Sequence, residues 1–241
     1  MGQRQGIPGL YTRERALAHR SRSKRIMLIA LGLFLAGLVF PPLLLGAFVA
    51  FLIGLREYNA YKTWQKGFMG EFRVIDELYI PSSVLLSDIH LPGRKGNVDH
   101  VLVSPKGIFV LETKNYSGEY WVNGEVWKTR GYMGRRRVKV KIRSPAVEVQ
   151  KEVKAVSSFL KRKVGKDYQL YPLIVLTGDA NVHGIKTSEI PILHLEDVPK
   201  YIDNFPTVLT QEDVSEVSQA LGGYAAHVKD MRGDSEVGNF N

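Results

Sequence analysis

The chain of 241 residues has no cysteine, which removes disulfides, thiolate metal sites and cysteine nucleophiles from consideration together. It also lacks a glycine-rich phosphate loop, a dinucleotide-binding fingerprint and a Ser-His-Asp arrangement. His90, His183 and His194 have no zinc-ligand spacing, and no internal repeat is visible. Formal charge is absent from Ile26 to Leu55, thirty consecutive residues. Acid is absent from Lys128 to Arg143, a segment holding eight Lys and Arg.

Those two gaps divide the chain. About 20 apolar residues cross a ~30 Å hydrocarbon core, so residues 26–55 read as a transmembrane segment, too long for a signal-peptide core. Pro41-Pro42 interrupts it, and the missing backbone donors predict either one kinked span or a hairpin of two halves. Residues 1–25 form a basic tail with seven Lys/Arg against one Glu, which places that end in the cytoplasm. The expected location is the cell membrane, with the soluble domain on the cytoplasmic side. Residues 56–230 fit one α/β domain with a mixed central β-sheet flanked by helices, and residues 231–241 a flexible tail. The formal charge of +9 is local: +6 in the tail, +8 in Lys128–Arg143, and −5 over the rest.

Within the domain, Glu57–Leu78 has helical spacing, whereas Ser83–Leu91, Val98–Ser104 and Ile108–Lys114 are short, β-branched and bounded by turn residues. Asn123-Gly124 predicts a hairpin between Tyr120–Val122 and Glu125–Lys128. Pro145–Lys163 predicts an amphipathic helix with Val149, Val153, Val156 and Leu160 on its inner stripe. Tyr171–Leu176 and Ile190–Leu195 look like buried strands, with helices expected near Glu196–Phe205 and Gln211–Lys229.

Ser104-Pro105-Lys106-Gly107 matches a type I turn. If Ser104 pairs with Gly107, Asp99 falls opposite Glu112 on the face that also carries Lys114. Opposed carboxylates repel unless a cation or a proton lies between them, and an all-oxygen donor set suits Mg²⁺ or Mn²⁺. A structural ion pair at a sheet edge is the alternative use of the same three residues. His100 points to the other face and reads as packed.

The ordered set Gly67-x-x-Gly70-Glu71, Asn97-Val98-Asp99-His100 and Glu112-Thr113-Lys114-Asn115, followed by Gly118 and Trp127, resembles the nuclease-related domain (NERD), a branch of the PD-(D/E)XK nuclease-like fold. The resemblance implies that Asp99, Glu112 and the Thr113 carbonyl hold the metal, that Lys114 orients the attacking water, and that Glu71 assists. It also implies an Asn-Pro and a Gln near the next helix; here Ser144-Pro145 and Glu148 stand there, with Gln150 two residues on. Nucleic acid, with DNA favoured, is the implied partner. Lys128, Arg130, Arg135, Arg136, Arg137, Lys139, Lys141 and Arg143 are candidates to track its phosphates. The rival expectation is a membrane-bound module that holds nucleic acid or anionic lipid without turnover. Oligomeric state has no signal in the sequence.

Overall fold

A computed structural model describes residues 3–133 and 136–225, so Arg135, the proposed end of the last helix and the proposed tail lie outside the described residues. The described residues divide into two compact units, one formed by residues 10–69 and the other by residues 3–9 with 70–133 and 136–225.

The first unit is a helical hairpin. Helix α1 (Leu10–Gly37) takes in most of the basic tail, the turn falls at the Pro41-Pro42 break, and α2 (Leu43–Glu77) returns. The helices meet at small residues: Ser23 Oγ donates to the Gly54 carbonyl at 3.0 Å, and Met27 packs against Gly54. His19 pairs with Glu57 at 2.6 Å. Leu38, Val39, Phe40, Leu43 and Leu44 donate their backbone N–H groups within the turn, and the two prolines have none, so the bend leaves no donor without a partner. Its apolar side chains face outward: Leu28 is 69% exposed, Val39 89% and Leu45 72%. A contiguous apolar surface of this kind is costly in water. By length and composition, α2 is long and apolar enough to cross a membrane.

The second unit is mixed α/β. Strands β1 (Gln3–Gln5), β2 (Val84–Ile89), β3 (Val98–Ser104) and β4 (Gly107–Lys114) form one sheet with β8 (Leu170–Leu176) and β10 (Ile192–His194), in the order β1-β2-β3-β4-β8-β10. The β3–β4 hairpin has the expected register, Ser104 opposite Gly107 through His100 opposite Leu111. One face of this sheet packs Val101, Val103, Ile108 and Val110 under α3 (Pro145–Lys163) and α5 (Gln211–Gly222). The other packs Leu102, Phe109 and Leu111 under the end of α2 and α4 (Val198–Asp203). Both strands of the hairpin are thus buried on two sides, as their unbroken apolar character requires.

One expectation needs correction: there are two sheets. Strands β5 (Gly118–Asn123), β6 (Val126–Met133), β7 (Arg136–Ile142) and β9 (Ala180–His183) form a second, in the order β7-β6-β5-β9. Parallel neighbours β4 and β8 each continue past a break into β5 and β9, which pair in parallel again. The breaks are pressed together, since a Cβ on Gly178 would meet the Tyr116 carbonyl. The Asn123-Gly124 hairpin is also displaced by one residue. Asn123 pairs with Val126, Gly124 (φ 57°) opens the turn, and Val122 then faces Trp127 in the core.

Candidate functional site

The site forms where the β3–β4 hairpin opens. Asp99 is bracketed by the ladder and accepts a hydrogen bond from the Thr113 backbone N–H at 3.0 Å, which fixes its carboxylate beside β4. Glu112 lies two residues beyond Val110 on the same face and is 4% exposed. Glu152, from α3 above that face, is 3% exposed, and carboxylate oxygens of Asp99, Glu112 and Glu152 lie within 4.8 Å of one another. One Glu152 oxygen accepts from Arg94 Nη2 at 2.9 Å; the other is buried without a hydrogen-bond partner among the described residues.

Glu152 was absent from the expected set, yet the sequence carried a signal for it. It occupies the inner stripe of α3, between Val149 and Val156 at helical spacing. An acid at such a position is either paired or functional. Arg94, in the loop between β2 and β3, carried no comparable signal.

The electrostatics follow from crowding. Burial raises the Glu112 carboxyl to about 8, and Asp99 pushes it the same way against the pull of Lys114. Burial also raises Asp99, with Lys114 and the Thr113 N–H opposing. Glu152 is pushed up by burial first, then by the Glu112 and Asp99 charges. Lys114 pairs with Glu112 and, at 3.0 Å, with Glu148. Burial alone would lower the Lys114 ammonium, but Glu112, Asp99 and Glu148 outweigh it and hold it well above its ordinary value. Glu148, paired also with Arg143, is held below the ordinary carboxylate range: burial opposes this, and Lys114 and Arg143 overcome it.

Other candidates lie elsewhere. His100 is fully buried on the opposite face, bonded to Ser87 at 2.8 Å, and burial lowers it to about 3, so it is neutral. Glu71 is buried on α2, whose Val74, with Leu78 just beyond the helix, covers that same opposite face; it is not among the three converging carboxylates. Asp88, on β2, stands beside Asp99 of β3, between the pairs Ser87–His100 and Ile89–Val98. Its φ of 52° is a left-handed strain for a non-glycine residue, of the kind that concentrates at functional sites.

The basic segment forms the β6–β7 pair of the second sheet. Lys128 opposes Lys141, Arg130 opposes Lys139, and Tyr132 opposes Arg137. Arg136 lies at the far end of β7, and Arg143 just beyond its near end, beside Glu148.

Three carboxylates, one with a buried unpartnered oxygen, form an all-oxygen donor set that fits a hard divalent cation. Residues 66–177 match the family described as the nuclease-related domain, and every residue of the trio, with Lys114, falls inside that range. An uncharacterized protein of Bacillus anthracis is 27% identical over 132 residues, 54% of this chain and 59% of that protein. The chain thus spans about three-fifths of that relative's length. No solved structure matches significantly. Residues 66–177 are therefore similar to the nuclease-related domain, and the acidic trio lies within the matched segment, at the open end of the β3–β4 hairpin.

Proposed function

We propose that the protein is a membrane-anchored nuclease that hydrolyses DNA phosphodiester bonds with Mg²⁺ or Mn²⁺. The observation that carries this reading is the convergence of Asp99, Glu112 and Glu152 beside Lys114 within the matched domain. A lone structural ion pair does not account for three converging carboxylates, two of them buried; a cation does.

The trio would hold the cation, with the Thr113 carbonyl beside it. When bound, such a cation supplies positive charge against the scissile phosphate and acidifies water. Lys114, placed by Glu112 and Glu148, donates toward the attacking oxygen and stabilises charge on the phosphorane. Arg94 keeps Glu152 aimed at Asp99 and Glu112. Glu71 acts from behind the sheet as a supporting group. The test is incubation of the full-length protein in detergent with plasmid, linear and single-stranded DNA, in Mg²⁺, Mn²⁺ or EDTA. Cation-dependent cleavage supports the reading; none with any substrate overturns it and leaves a binding module.

The anchor is the α1–α2 hairpin. Gln3–Gln5, before it, and Val84–Leu86, after it, are adjacent strands of one sheet, which supports entry and exit on the same side of the membrane. Each apolar arm of about 13 residues is only ~20 Å long, suiting insertion from one face. Because the chain has no cysteine, Glu14→Cys and Lys186→Cys report topology cleanly. Both should resist a membrane-impermeant maleimide in intact spheroplasts and label after lysis; labelling of one position and not the other in intact spheroplasts would establish a single span.

A further inference from the structure

The second sheet has one face in the core and one in solvent. Tyr120, Val122, Trp127 and Ile142 take the inner face. The outer face carries two consecutive like-charge pairs, Lys128 opposite Lys141 and Arg130 opposite Lys139, all four exposed. Directly opposed like charges destabilise a strand pair, and nothing in folding requires them here. An anionic ligand removes that cost.

Aromatic rings are interleaved with these cations. Lys139 Nζ lies 4.0 Å from the centre of the Trp121 ring, with the Arg130 guanidinium at 5.7 Å. His183 stacks beside Trp121 at 5.5 Å. Tyr132 is 70% exposed, with Arg137 over it at 6.0 Å. The acid on this face, Glu119, is engaged by Asn181 and His183. A duplex presents only phosphates to a flat sheet face, whereas unpaired bases present planes that stack on rings. The stripe also leads to the acidic trio, because Arg143, just beyond the end of β7, pairs with Glu148, which pairs with Lys114.

We propose that this face binds single-stranded nucleic acid, with bases stacked on Trp121 and Tyr132 and phosphates held by Lys128, Arg130, Lys139 and Lys141. The strand is thereby led along β7 toward Lys114. This deepens the nuclease reading by naming its substrate as an unpaired strand, and rests on that reading only for what happens after binding.

The test is fluorescence anisotropy of the full-length Glu112→Gln protein in EDTA, where cleavage is silenced. A labelled oligothymidine is compared with a duplex of equal length, in nanodiscs of phosphatidylcholine with and without phosphatidylserine. The oligothymidine should bind more tightly than the duplex, and Trp121→Ala should weaken it roughly 5- to 100-fold. Lys139→Gln should reduce the slope of log affinity against log salt by about 0.7. Duplex binding as tight as single-strand binding, or indifference to Trp121→Ala, would overturn the proposal. So would loss of oligonucleotide binding specifically in phosphatidylserine discs, which assigns the face to lipid. If wild type cleaves nothing yet these results hold, the nuclease reading fails and this one stands; cleavage without single-strand preference is the reverse.

Discussion

Glu112→Gln should reduce cation-dependent DNA cleavage to background, and Lys114→Ala should reduce it by roughly 10²- to 10³-fold. The two losses differ in kind. Glu112 belongs to the converging trio, so its amide variant should also lose the rise in melting temperature that a ligand of the folded state produces. Lys114 carries no ligand atom, so its variant should keep that rise. It should also show a larger one, because three carboxylates lose the ammonium that offsets them when no cation is present. Glu152→Gln should behave like Glu112→Gln. Thermal unfolding with and without Mn²⁺, read beside plasmid cleavage, separates these outcomes. Equal loss of stability in all three variants, with no effect of metal, is what a purely structural ion network would give.

Acidity of the trio sets the second large effect. The ordinary value for Glu112 is 4.5, and burial raises it to about 8 in the folded chain. Between those values the folded protein holds a proton that the unfolded chain has released. Stability of the metal-free protein therefore falls as pH rises through this window, and the loss is complete above it. Glu152 and Asp99, raised in the same direction, add to the slope, while Lys114 limits its size. The melting temperature in EDTA should be higher near pH 5 than near pH 8 by several degrees, each ~1 kcal/mol being roughly 2–4 °C for a domain of this size. Glu112→Gln should flatten that dependence and should melt no earlier than wild type at pH 8. Saturating Mn²⁺ should flatten it as well, because a cation replaces the proton. A metal-free melting temperature that rises from pH 5 to pH 8 would show that these carboxylates are ionised when the protein folds.

The part of the site that was legible in the sequence is the part fixed by local chemistry. Ser104-Pro105-Lys106-Gly107 sets the turn, the turn sets the register, and the register brings Asp99 to Glu112 without reference to the rest of the fold. Helix α3 was equally readable from Pro145 to Lys163, because Ser144 caps it and its apolar spacing is regular. What escaped depends on distant partners. Strand β9 pairs with β5 some sixty residues earlier, and its sequence, Ala-Asn-Val-His, is too short and polar to announce a strand. Strand β1 is three polar residues whose pairing with Val84–Leu86 exists only because the helical hairpin returns the chain to the same sheet. The second sheet was hidden for a related reason, since the β6–β7 pair reads as a charged run until its outer face is separated from its inner one. Glu152 was visible in the sequence, an acid within an apolar stripe whose meaning appears only when the stripe is laid over Glu112.

The most direct test of the central claim is Mn²⁺ binding to the full-length protein in detergent, followed by electron paramagnetic resonance of free Mn²⁺ at pH 8. The trio predicts one high-affinity Mn²⁺ per chain in the wild type and in Lys114→Ala, and none in Glu112→Gln or Glu152→Gln. Retention of that Mn²⁺ when Glu112 and Glu152 are both replaced, or its absence from the wild type, would contradict the assignment of these carboxylates as a metal centre.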